Sequence, residues 1–231
     1  MPSLDDLGRA IRARRSYRLS FYPADVSEES IRACLDLARW APSAHNAQPW
    51  RFVALFRQNP SHQAIRARMA VKMAERFETD MIGDGVASIQ AKAGARASIN
   101  RFMDAPVLIV ACMETAALVE NLDERRSSIE SVMGTQSVAA AITILLVSLE
   151  ASGLRSCWLC APLFCEDVVR EAIGLPATWR PQAFVLVGYG PVTEHPGMQK
   201  EGRMPGNRRQ PVEDILFDPS SFINQRQEDQ T

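Results

Sequence analysis

Apolar residues recur at helical spacing from the start of the chain. Leu4, Leu7 and Ile11 fall on one side with arginines opposite, which predicts a helix over 4–14. Ile31, Cys34, Leu35 and Ala38 follow the i, i+3, i+4, i+7 pattern of a buried face. That helix is predicted from Glu28 to about Trp40, with Ser27 as N-cap and two acidic residues in its first turn. Arg51 to Phe56 reads as a strand, followed by a turn at Asn59-Pro60. Ser61 to Arg76 is amphipathic and helical, Gly83-Asp84-Gly85 breaks the pattern, and Val86 to Phe102 resumes it. This mid-section, about residues 60–104, reads either as a lid over an active site or as a solvated helical hairpin.

Further along, Pro106 to Cys112 is a continuous apolar run and predicts a buried strand. Glu114 to Ser128 is polar, which suggests a loop and a short helix. Ser137 to Ser152 is apolar almost all round, so it needs burial on every side, and Gly153 stops it. It is shorter than a bilayer span and suits the core helix of an obligate oligomer. Strands are expected at Arg155 to Ala161 and Phe184 to Gly190, with a short helix from Cys165 to Ile173 between them. Pro191 to Gln210 reads as extended or loop, Val212 to Phe217 is apolar enough to dock, and 219–231 is expected to be a disordered tail. Helices and strands mix without regular alternation, which favours α+β over a doubly wound sheet. No repeat or linker divides the chain, so 1–231 is expected to be a single domain.

Bulk properties narrow the partners. A net charge of -1 gives no electrostatic case for nucleic acid. No apolar run approaches the ~20 residues of a membrane span, so no membrane partner is expected. Met1 to Asp6 starts acidic and lacks the apolar stretch of a secretory signal. Five cysteines, an odd number in a chain of 231 residues, argue against a disulfide framework and for a reducing, cytoplasmic location.

The candidate chemistry lies in two segments. Ala41 to Trp50 packs amide and hydroxyl groups between Pro42 and Pro49, directly before an apolar strand. A stiffened loop at the edge of a core can hold a planar, hydrogen-bonding cofactor, or it can be a plain turn. Upstream, Arg14, Arg15, Ser16 and Arg18 offer three guanidinium groups and a hydroxyl, which suit a phosphate or else a solvated helix end. Trp50 opens a buried strand and reads as core. Cys157-x-x-Cys160 sits in an apolar strand-like run, where neither thioredoxin-like chemistry nor a zinc site is expected. The three histidines, His45, His62 and His195, have no ligand spacing. His45 reads as a solvent-facing loop residue or a substrate contact.

Three later segments complete a pattern: Gly153 to Leu159 (GLRSCWL), Leu175 to Ala183 followed by Gly188-Tyr189-Gly190, and Arg209-Gln210-Pro211-Val212-Glu213. Together with the first two, in this order, they resemble the flavin-binding signature of the nitroreductase family, from about Arg12 to Phe217. The segments 69–85 and 137–190 look most similar to the branch that holds the flavin domain of deazaflavin-coenzyme biosynthesis enzymes. Arg155 replaces a glycine common in that family, and Cys160 stands where small residues are usual.

The resemblance implies a nitroreductase-like α+β fold, with a central mixed or antiparallel sheet among helices. It also implies a homodimer whose C-terminal extension embraces the partner, with two FMN sites at the interface. Arg14, Arg15, Ser16, Arg18 and Arg209 map onto the phosphate and ribityl contacts. Pro42, Ser43, Asn46 and Gln48 map onto the loop that meets the isoalloxazine, and the backbone of Leu159, Cys160 and Ala161 onto the segment beside it. No catalytic side chain and no metal are implied, because the flavin carries the chemistry. NADH or NADPH would be transient, consistent with the lack of a GxGxxG fingerprint. A small-molecule electron acceptor would follow: a nitroaromatic, a quinone or a related conjugated compound. The alternatives are reduction of a deazaflavin-coenzyme precursor, fragmentation of flavin to a benzimidazole, a non-catalytic flavin-binding module and a pure interaction protein.

Overall fold

The computed structural model describes residues 4–18, 20–120, 123–191 and 209–216. Met1–Pro191 and Val192–Thr231 form separate compact units. Within the second, residues 209–216 hold a short 3-10 turn at Val212–Asp214, with Val212, Ile215 and Leu216 exposed. The expected tail at 219–231 lies outside the described residues.

The first unit is α+β and contains six helices and four strands among its described residues. Helix α1 spans Leu4–Ala13 and α2 spans Glu28–Ala38. The Ser27 side chain accepts from Ser30 N–H, as its N-cap role predicts. Strand β1 is Trp50–Phe56. Helix α3 runs Pro60–Gly83, beyond the expected Arg76, with Pro60 in its first turn and the Asn59 side chain accepting from Ser61 N–H and His62 N–H. Helix α4 is Ser88–Asp104 and β2 is Val107–Glu114.

Helix α5 is Glu124–Ala151, much longer than expected, because Asp123 caps a polar first half that the sequence pattern did not flag. It is the one described helix long and apolar enough to cross a bilayer, which corrects the expectation that no such stretch exists. Half of its most apolar window is buried inside the unit, where it packs on α2 and the sheet. Strand β3 (Arg155–Leu159) stops short of Ala161, and Ala161–Phe164 turns as a 3-10 helix. Helix α6 is Glu166–Ile173 and ends on a left-handed Gly174. Strand β4, Trp179–Gly188, begins earlier than Phe184.

The four strands form one antiparallel sheet in the order β1-β2-β4-β3. Strand β2 is apolar without alternation because both of its faces are covered. Val107, Ile109, Ala111 and Met113 join the core with α2 and α5. Leu108, Val110 and Cys112 join a second core with Met69, Met73 and Phe102 of the α3–α4 hairpin. A bulge at Gln182 separates the Ala111–Ala183 pair from the Cys112–Pro181 pair, next to a proline that has no N–H to donate. The mid-section is therefore a docked hairpin whose inner face is core. Arg66 on α3 is fully buried and donates to the carbonyls of Met103 (3.0 Å) and Ala105 (2.8 Å), closing the end of α4.

Candidate functional site

The arginine-rich segment continues α1 onto the sheet edge. Arg15 Nη1 folds back onto the carbonyl of Arg14 at 2.8 Å and onto that of Arg12, satisfying the open end of α1. Ser16 forms a parallel bridge with Ser156, and Tyr17 N–H donates to Ser156 O at 2.8 Å. The segment thus lies along β3. Tyr17 is buried, and its hydroxyl donates to Ser20 O at 2.8 Å. Its ring centroid stands 5.0 Å from that of Phe21.

Between this segment, the β3–β4 face and the α3–α4 hairpin is a cavity of about 420 Å³. Phe77, Ile99, Phe102, Leu159 and Phe184 give it apolar walls, while Arg18, Arg101 and Asp104 supply charge. Cys157 lines the cavity with Arg18 and Arg101. Burial pushes its thiol up, and Arg18, Arg101 and Arg14 pull it part of the way back down. Leu159, Cys160 and Ala161 line the same space. The Cys157-x-x-Cys160 pair is split: Cys157 is buried in β3, whereas Cys160 lies just past the strand and is exposed. An apolar slot of this size with convergent guanidinium groups suits a planar aromatic body that carries an anionic tail.

Sequence reasoning missed Ser98 and Arg101 of α4, which also line the cavity. Their spacing puts them one turn apart on the helix, beside Ile99 and Phe102. A polar pair next to apolar residues on one helix face was the available signal.

The other predicted loop lies elsewhere. Pro42, Asn46 and Gln48 are exposed, and Ser43 is half-buried. His45, Asn46 and Gln48 have left-handed backbones, with φ of 54°, 52° and 46°. Ser43 Oγ accepts from Gln48 N–H at 3.1 Å, and Ser137 Oγ on α5 accepts from Ala44 N–H at 3.3 Å. Gln48 Nε2 donates to Asn46 Oδ1 at 3.2 Å. His45 Nε2 stands 3.5 Å from Glu130 Oε1. None of residues 42–48 lines the cavity. The loop feeds β1, at the opposite edge of the sheet from β3, three strand spacings or roughly 14 Å away. Arg209 belongs to the second unit and is exposed there. Among the described residues no group of three or more His, Cys, Asp or Glu side chains could hold a metal ion.

Comparison with known proteins places this geometry in context. Residues 11–189 match the model of the nitroreductase family. A protein of Rhodospirillum rubrum named 5,6-dimethylbenzimidazole synthase is 27% identical over 199 residues, covering 83% of this chain and 85% of the relative. The solved BluB-like flavoprotein of Clostridium difficile 630 superposes with a TM-score of 0.66 at 24% identity, over 92% of this chain and 98% of that one. The FMN-dependent nitroreductase NfnB of Mycobacterium smegmatis, solved in complex with NADPH, gives 0.61 at 20% identity, over 80% and 88%. With the family model covering most of its length and the same fold in these structures, the chain belongs to the nitroreductase family.

Proposed function

We propose that the protein is an FMN-dependent NAD(P)H oxidoreductase acting on a nitroaromatic, a quinone or a related conjugated acceptor. The observation that carries this reading is the placement of Arg18 and Arg101 on one apolar cavity walled by residues 159–161. FMN fits that donor set, having a flat tricyclic body and a phosphate of charge near -2. Arg14, Ser16 and Arg18 would hold the phosphate and ribityl chain. Arg101 would set positive charge against the ring, and the backbone of Leu159, Cys160 and Ala161 would run beside it. Pro42, Ser43, Asn46 and Gln48 would come from a second copy, since their own edge of the sheet is remote from the cavity. When bound, FMN supplies hydride acceptance from a reduced nicotinamide and electron delivery to the acceptor. The chain's own contribution is orientation, exclusion of water by Phe77, Ile99 and Phe102, and a cationic surround that favours negative charge on the ligand.

The Rhodospirillum rubrum relative favours a second reading, in which flavin is itself the substrate and is fragmented to a benzimidazole. Reduction of a deazaflavin-coenzyme precursor is a third, drawn from the sequence resemblance alone.

The deciding experiment is the visible spectrum of the purified protein, followed by anaerobic titration with NADH and with NADPH. Bleaching of a bound yellow chromophore and its recovery on adding a nitroaromatic or quinone are expected. A flavin that nicotinamide cannot bleach would make this a binding module. Release of a benzimidazole from reduced FMN in air would replace the first reading with the second.

A further inference from the structure

The loop 43–48 holds three non-glycine residues in the left-handed region, and such a turn persists only when its neighbours over-determine it. Asn46 tolerates this backbone well; Gln48 does not. The contacts on Gln48 are therefore informative. Its N–H is taken by Ser43 Oγ, and its carbonyl accepts from Arg51 Nη1 at 3.1 Å. The same Arg51 nitrogen donates to Trp50 O at 2.9 Å.

Arg51 is itself held from behind. Its Nε stands 3.9 Å from Glu114 Oε2 across the β1–β2 pair. Glu114 accepts from the Trp179 indole N–H, and its backbone N–H donates to Pro49 O at 2.7 Å. A chain of polar contacts thus runs from β4 through Glu114 and Arg51 to the strained carbonyl. A surface arginine without such a role would leave its donors to water.

We infer that Arg51 is a positioning residue, which clamps the Gln48 carbonyl and so fixes the turn that presents Asn46 and Gln48 to the flavin of a second copy. The presentation to flavin rests on the function proposed above; the clamp does not.

The test uses the full-length protein and two readouts. Amide hydrogen exchange without added FMN, in Arg51→Met, should accelerate by about tenfold at residues 46–48, the scale of one lost hydrogen bond. Exchange in β2 at Val107 to Cys112 should not change. In a Gln48→Gly background, where glycine adopts the left-handed backbone freely, Arg51→Met should add nothing further. FMN titration should then show about tenfold weaker binding for Arg51→Met than for the wild type. If Arg51→Met does not fold, Arg51→Lys keeps charge and stem but loses the guanidinium fork, and the same acceleration is expected.

Unchanged exchange at 46–48 overturns the clamp. Faster exchange with unaltered FMN affinity overturns the positioning role. A wild type that takes up no FMN overturns the flavin reading and the presentation that rests on it, while the exchange data still decide the clamp.

Discussion

A Cβ on Gly190 would stand 2.6 Å from the hydroxyl oxygen of Tyr17, closer than side chains approach in real proteins. The glycine after β4 thus leaves room for the hydroxyl end of Tyr17, which forms part of the cavity wall. Gly190→Ala should displace that ring. We expect a loss of about 1–3 kcal/mol, the usual scale of overpacking, in urea denaturation. FMN uptake should weaken alongside. Stability and uptake both equal to wild type would mean that Tyr17 swings away freely and does not shape the cavity.

The phosphate assignment makes a ligand-specific prediction. Charge-assisted hydrogen bonds contribute about 1.5–3 kcal/mol each, or roughly 10- to 100-fold in affinity. Arg14→Ala and Arg18→Ala should each weaken FMN by about that factor and leave riboflavin, which has no phosphate, unaffected. Arg101→Ala should weaken both ligands. Fluorescence titration with the two flavins decides it, and equal losses for riboflavin in the first two variants would remove the phosphate assignment.

Acid stability should report on Glu114. The Thr178 side chain, the Trp179 indole, Ala116 N–H and Arg51 hold its carboxyl below the ordinary value of 4.5. A lowered folded-state value means the stabilisation is complete above pH 4.5 and is lost as pH falls through that lowered value. Glu114→Gln keeps one acceptor oxygen but loses the charge that these partners favour, and solvent screens part of that charge, so it should cost about 1 kcal/mol at neutral pH. Its stability should fall less than the wild type's on acidification below pH 4.5. Parallel acid limbs for the two proteins would show that Glu114 is not the titrating group.

Thiol chemistry should separate the cysteines. Burial pushes Cys112 up to about 12 and Cys165 up to about 11, and it raises Cys34 and Cys157 as well. Cys160 alone is exposed. An aromatic disulfide reagent should modify one thiol rapidly in the folded chain, and Cys160→Ser should abolish that phase. Bound FMN should slow it, because Cys160 lines the proposed flavin cavity. Rapid labelling that persists in Cys160→Ser would place a second thiol within reach of solvent.

The apolar pattern carried most of the fold. The i, i+3, i+4, i+7 face of α2 and the unbroken run in β2 reported directly on what each element buries. Failures cluster where a polar stretch folds on a cap. Glu124 to Gln136 has no continuous apolar stripe, yet Asp123 starts a helix that the later apolar half sustains. On the cavity, Arg18 and the 159–161 segment were legible because a motif fixed their order. Ser98 and Arg101 were not, because only the return of α4 against β3 and β4 brings them to the cavity. Strand order was equally hidden, since it depends on pairings between residues far apart in sequence.

That order has a genetic consequence. In the proposed dimer each polypeptide donates its arginines to one flavin and its 42–48 loop to the other. Two crippled variants, one carrying Arg18→Ala and the other Asn46→Ala, would then complement when mixed. Each hybrid would gather both lesions in one site and leave its twin whole, so activity would return from parents that have little of their own.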